Sequence, residues 1–182
     1  MLEIGFGRGD TTAVLAAADP DRDVLAVEAH LPGVGSLLLR LEEAGLSNVR
    51  VVEGDAAVLL RDMLSPASLA EVRIWFPDPW PKARHAKRRL VQPPFLELLA
   101  SRLHAGGVLH FASDAADYVD RVHASCAASH DFSVISRERP RWRPVTGFEQ
   151  RARDAGRASY DVLVRRVGPS CAAVHEPGAG AA

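Results

Sequence analysis

The spacing of apolar and polar positions predicts strands and helices in regular succession. Met1–Ile4 is a short apolar strand broken by Glu3, and it runs directly into Gly5-Phe6-Gly7-Arg8-Gly9-Asp10. The apolar-rich stretch Thr11–Ala18 follows, so strand, tight turn and helix are expected in that order. Asp23–Glu28 reads as the second strand, and Leu31–Ala44 as a helix closed by Gly45. Val49–Glu53 reads as the third strand, followed by Gly54-Asp55 and a helix over Ala56–Met63. Val72–Phe76 is β-branched and aromatic, a buried fourth strand that must stop at Pro77, since proline cannot donate to a ladder.

Beyond the prolines, Pro93–Leu103 is expected to be a helix stopped by Gly106-Gly107, and Val108–Ala112 a fifth strand ending in Ser113-Asp114. The next helix carries Tyr118, Val119 and Val122, with Cys126 on much the same side as a small core residue. Phe132–Ser136, a short helix over Phe148–Ala155 and a strand over Tyr160–Val164 complete the pattern. Such alternation implies an α/β fold: a doubly wound, mostly parallel seven-stranded sheet, with strands six and seven as an edge pair. One domain is expected over residues 1–167, with residues 168–182, mostly Gly, Ala, Pro and Ser, as a disordered tail. Strand one has so few residues before Gly5 that an N-terminally truncated chain, or a misplaced start, is expected.

Composition narrows the picture without deciding it. A 182-residue chain with 47% hydrophobic and 25% charged residues suits one ordinary globular domain. Cys126 and Cys171 lie far apart with no metal-ligand spacing, which favours a reduced, cytoplasmic protein without a metal site. No apolar run approaches membrane-spanning length. The net charge is −1, yet five Lys/Arg and no acid fall within residues 82–89, and Arg137–Arg153 is a second arginine-rich segment. Two basic patches on a neutral chain suggest docking of a polyanion.

The stretch Phe76-Pro77-Asp78-Pro79-Trp80-Pro81-Lys82 concentrates the candidate chemistry. It holds Asp78 in a stiff loop at a strand's C-terminal end, the edge where open α/β sheets bind ligands. Glu28 and Asp55 end two earlier strands in the same way, and Glu28 is placed to accept both hydroxyls of a ribose lying over the glycine turn. Asp55 reads equally as a helix N-cap. Trp80 reads either as a base-stacking platform or as a loop anchor. If the basic run is helical, Arg84, Lys87 and Arg88 share one face suited to phosphates. The glycine spacing is not that of the dinucleotide fingerprint, which disfavours NAD.

Leu2–Gly9 resembles the first motif of class I S-adenosylmethionine-dependent methyltransferases. Phe76–Trp80 with Lys82–Leu90 resembles one family among them, the bacterial tRNA (guanine-N7)-methyltransferases, which modify guanine 46 of the variable loop. Arg143–Glu149 is similar to that family's C-terminal substrate motif, with Gly147 where the family usually has Lys. The resemblance implies S-adenosylmethionine as cofactor, held by Glu3, Gly5, Gly7, Gly9, Glu28, Asp55 and Asp78, with Asp78 also catalytic. It implies tRNA as partner, met by Lys82, Arg84, Lys87, Arg88, Arg89, Asp114, Thr146, Gly147, Phe148 and Glu149. Oligomeric state stays open between monomer and homodimer. Two alternatives remain: another class I methyltransferase acting on an amine or small molecule, and a catalytically weak RNA-binding fragment.

Overall fold

The computed structural model describes residues 1–168, so all but the first residue of the expected tail lies outside the described residues. Its strands are β1 Leu2–Ile4, β2 Val24–Glu28, β3 Val49–Glu53, β4 Leu69–Trp75, β5 Leu103–Ser113, β6 Phe132–Ser136 and β7 Tyr160–Arg166. They form one seven-stranded sheet in the order β3-β2-β1-β4-β5-β7-β6. β1 to β5 pair in parallel and β7 runs antiparallel to both β5 and β6. The doubly wound sheet and its antiparallel edge pair are as expected from the alternation.

The helices are α1 Asp10–Ala18, α2 Leu31–Glu43, α3 Ala56–Val58, α4 Pro93–Arg102, α5 Ala116–Ala128 and α6 Gly147–Asp154. One face of the sheet packs Leu2, Ile4, Val72, Ile74, Leu109 and Phe111 against α4, α5 and the segment after β3. Cys126 belongs to this layer, fully buried, and burial pushes its thiol up to about 12. The other face packs Ala26, Val24 and Val49 against Ala16 of α1 and Val34, Leu37 and Leu41 of α2.

Two elements depart from expectation. The helix expected over Ala56–Met63 keeps one α turn and then widens into a π turn over Leu59–Met63. There the Arg102 guanidinium donates to the carbonyls of Leu60 (2.6 Å) and Arg61 (3.2 Å), supplying partners that a regular helix would supply itself. β5 begins earlier than expected, at Leu103, directly after α4.

On the α1–α2 face the sheet carries a row of ionisable groups instead of a purely apolar stripe. Glu3, Arg73 and His110 are register partners on β1, β4 and β5, and all three are buried. The segment between β6 and α6 covers this row. Its Trp142 lies over the Arg73 guanidinium (5.0 Å) and meets His110 edge-on (5.6 Å). Arg143, 1% exposed, bonds Glu149 Oε2 at 2.7 Å and Asp161 of β7 at 3.2 Å. His110 Nε2 lies 2.7 Å from Asp161 Oδ1. Burial lowers the His110 pKa, against the opposing pull of the Asp161 carboxylate beside it.

Removing one partner from a buried ionic cluster leaves an uncompensated charge. Arg143→Ala should therefore lower unfolding stability by roughly 3–5 kcal/mol. Arg153→Ala removes a half-exposed arginine from the same Glu149 carboxylate and should change stability by less than about 1 kcal/mol. Urea unfolding followed by circular dichroism checks both; equal losses would show that the buried position of Arg143 has no special weight.

Candidate active site

Four strands end side by side and deliver their last residues to one edge of the sheet. β1 enters the turn Gly5–Gly9, where Gly5, Gly7 and Gly9 all have positive φ, between 60° and 76°. α2 docks against this turn so closely that a Cβ at Gly33 would lie 2.1 Å from the Gly7 carbonyl oxygen. Only glycine permits that approach. The turn's Gly7 N–H donates to Glu28 Oε2 (2.9 Å) and the His30 N–H to Oε1 (3.0 Å). These bonds aim the Glu28 carboxylate along the turn and leave lone pairs for a ligand. Asp55 is the N-cap of α3, its Oδ1 accepting from Ala57 and Val58 N–H.

Two clefts open on this edge. The larger, about 760 Å³, is lined by Glu3, the glycine turn, Trp75, Thr146, Phe148 and Arg151, among others. The second, about 690 Å³, is lined by Glu28, Asp55, Asp78, Trp80 and Arg88, among others. Gly5, Gly7, His30 and Phe148 line both, so the two clefts adjoin at the glycine turn. Glu3 sits on the floor of the larger cleft, 4% exposed, with Oε2 lacking any hydrogen-bond partner among the described residues. Burial pushes its carboxyl up to about 7, opposed by the Thr12 hydroxyl and the Arg73 charge. An orphaned acceptor at a cleft floor suits a cationic donor from a ligand.

Asp78 is exposed, in a loop whose backbone is strained at both shoulders: Phe76 has φ 54° and Trp80 φ 42°. Non-glycine residues in that region cost roughly 1–3 kcal/mol each and persist when the surroundings hold them. The Phe76 N–H is tied to the Ala112 carbonyl of β5 (2.7 Å) and the Pro79 carbonyl accepts from Arg89 Nε (2.8 Å). The basic run after the loop is a 3₁₀ helix over Ala83–Arg88. With three residues per turn, Arg84 and Lys87 align, while Arg88 turns back and stacks on Trp80 at 5.0 Å. Trp80 also meets His85 edge-on at 5.8 Å, so it is anchored in the loop as well as lining the cleft.

The structure divides the residues expected at the polyanion site. Lys82, Arg84, Lys87 and Arg88 are exposed. Arg89 is 4% exposed, pairs with Asp117 at 2.8 Å and lies over the Tyr118 ring at 4.7 Å. It braces the proline loop from behind and does not join the exposed face. Glu149 is likewise interior. Its carboxylate receives Arg139, Arg143, Arg153 and the Ser159 hydroxyl at 2.6–3.2 Å, leaving it no outward face. Although burial alone raises the Glu149 pKa, these arginines bring it below the usual range. Thr146 caps α6 by accepting from the Glu149 N–H at 3.0 Å, and Gly147 and Phe148 face the cleft. Asp114 pairs with Arg157 at 2.9 Å. Sequence reasoning assigned no role to Trp75, His110, Trp142 or Arg151; the first three find partners in distant segments, whereas Arg151 lies over Phe148, three residues away.

A family model described as "Putative methyltransferase" matches residues 1–162. A tRNA (guanine-N(7)-)-methyltransferase of Nitrosospira multiformis is 48% identical over 169 residues, covering 91% of this chain and 74% of that protein. The chain belongs to the tRNA (guanine-N7)-methyltransferase family. Another member, from Streptomyces coelicolor, is 50% identical over 92% of this chain, which spans 64% of that relative's length. Among solved structures, a SAM dependent methyltransferase from Aquifex aeolicus matches with a TM-score of 0.60 at 13% identity, covering 91% of this chain and 81% of that one. That likeness shows the shared fold.

Within the family frame, Glu3 and the basic run generate distinct expectations. A cationic ligand group should draw Glu3 into its ionised form, so binding of S-adenosylhomocysteine near pH 6.5 should release a fraction of a proton. The linkage runs one way: with its folded pKa raised, Glu3 binds ligand better as pH rises toward and past about 7. Calorimetry in buffers of different ionisation enthalpy checks this, and Glu3→Gln should abolish the release. Separately, Arg88→Ala should lower the log–log salt slope of binding to a polyanion such as heparin by about one. Arg89→Ala should lower the melting temperature while leaving that slope near its original value.

Proposed function

We propose that this chain transfers a methyl group from S-adenosylmethionine to N7 of a guanine in tRNA, guanine 46 of the variable loop being the target. The observation that carries the reading is the placement of Asp78 in its braced loop. It lines the cleft that Glu28 and Asp55 also line, and the exposed cationic 3₁₀ turn begins a few residues further on.

The residues fit the cofactor. Glu3 offers an unpaired buried acceptor to its ammonium, Glu28 offers oriented carboxylate oxygens to its ribose, and the glycine turn keeps Cβ atoms out of the way. When bound, the cofactor supplies an electrophilic methyl group. Displacement at that methyl asks the chain for alignment and electrostatics. Guanine N7 carries a lone pair and no proton, so no general base is required. Asp78 instead accepts hydrogen bonds from the donor edge of guanine and balances the positive charge that N7-methylation leaves on the ring. Lys82, Arg84, Lys87 and Arg88 neutralise phosphates.

Asp78→Asn should reduce turnover roughly 100-fold or more, while tRNA affinity changes by less than about twofold. The assay is methylation of unmodified tRNA transcript with mapping of the product base. Label appearing on an exocyclic amine, or at a guanine other than 46, would overturn the assignment of target. Equal losses in turnover and affinity would make Asp78 a docking residue.

A further inference from the structure

The arginines around α6 are nearly all committed. Arg139, Arg143 and Arg153 converge on Glu149, Arg157 pairs with Asp114, and Arg137 pairs with Asp120. Arg151 differs. It is exposed at the mouth of the larger cleft, and no carboxylate among the described residues lies within ion-pair distance of it. Its guanidinium carbon lies 4.5 Å over the Phe148 ring. It also lies beside the missing side chain of Gly147: a Cβ built there would meet only Arg151 Nη1, at 4.0 Å.

We propose that Arg151 binds a phosphate of the substrate RNA beside the target base, an inference that rests on the tRNA reading above. A guanidinium over an aromatic ring is held there by cation–π attraction, and its planar N–H fork matches phosphate oxygens bidentately. Ring and fork lie together at the mouth of one cleft. A nucleotide satisfies both, with a π-face for the aromatic platform and a phosphate for the fork. The cofactor's carboxylate satisfies only the second. Gly147 adds to the case, because the bare backbone at the start of α6 leaves room for the anion beside the guanidinium.

The test compares the wild-type chain with Arg151→Ala, Arg151→Lys and the double variant Arg151→Ala/Gly147→Lys. Readouts are KM and kcat on tRNA transcript, the salt slope of tRNA binding, and S-adenosylhomocysteine affinity. Arg151→Ala should raise KM for tRNA roughly tenfold and lower the salt slope by about one. Its affinity for S-adenosylhomocysteine should stay within about twofold. Arg151→Lys should keep the slope and lose part of the affinity, since a point charge replaces a fork. A lysine at position 147 starts within reach of the same spot, so the double variant should recover the lost slope. An unchanged slope and KM in Arg151→Ala overturns the proposal. So does lost S-adenosylhomocysteine affinity with an intact tRNA slope, which would assign Arg151 to the cofactor's carboxylate. If the wild-type chain itself binds cofactor but not tRNA, the RNA reading fails first, and that result is distinguishable from a defect confined to the variant.

Discussion

Arg143 is a fully buried cation, and its charge is divided between two carboxylates from different parts of the chain. Asp161 belongs to β7, the antiparallel strand between β5 and β6, and Glu149 belongs to α6. One side chain therefore fixes where the segment after β6 crosses the sheet. It also fixes where α6 begins, and so where Thr146, Gly147 and Phe148 stand at the cleft. A buried ionic cluster is a weak source of net stability, because desolvation offsets most of the attraction, but it tolerates few alternative arrangements. Here that intolerance holds a short helix, whose sequence is strongly polar, at a defined position on the sheet.

The proline loop is held on a similar principle with different parts. Two non-glycine residues sit at positive φ, which the chain would avoid if it were free to relax. β5 holds one shoulder through the Ala112 carbonyl, and Arg89 holds the other through the Pro79 carbonyl. Arg89 is in turn seated on Tyr118, whose hydroxyl accepts from the Val91 N–H at 2.8 Å. Asp78 is exposed, but the backbone that carries it is anchored on both sides to the core.

What could be read from the sequence was whatever is local. Glycines after β1, acids at strand ends and three prolines after β4 announce themselves within a few residues, because turn geometry and strand termination are short-range matters. Asp55 shows the limit: the same position served as cap and cleft residue, and the cap is what its hydrogen bonds show. Arg89 stands in a basic run and Glu149 in a segment that resembles a substrate motif, and neither a charge pattern nor a motif carries a sign of burial. Their actual partners are supplied by other elements, as with Arg89 and Asp117, or Arg143 and Asp161. His110 is the extreme case, 51 residues from the carboxylate it bonds. The widened turn after α3 was illegible for the same reason, its carbonyl partner being Arg102.

The row formed by Glu3, Arg73 and His110 bears on how the sheet assembles. β1 is only three residues long, yet it sits in the middle of the sheet between β2 and β4. Side chains alternate between faces, so sliding β1 by one residue would carry Glu3 into the opposite layer, among Leu60, Leu99 and Phe111. It would also turn Leu2 and Ile4 toward Arg73 and His110. Each misalignment would strand a polar group in an apolar layer, at a cost of several kcal/mol for a charged one. The ionisable row thus sets one alignment of this central strand apart from those shifted by a single residue.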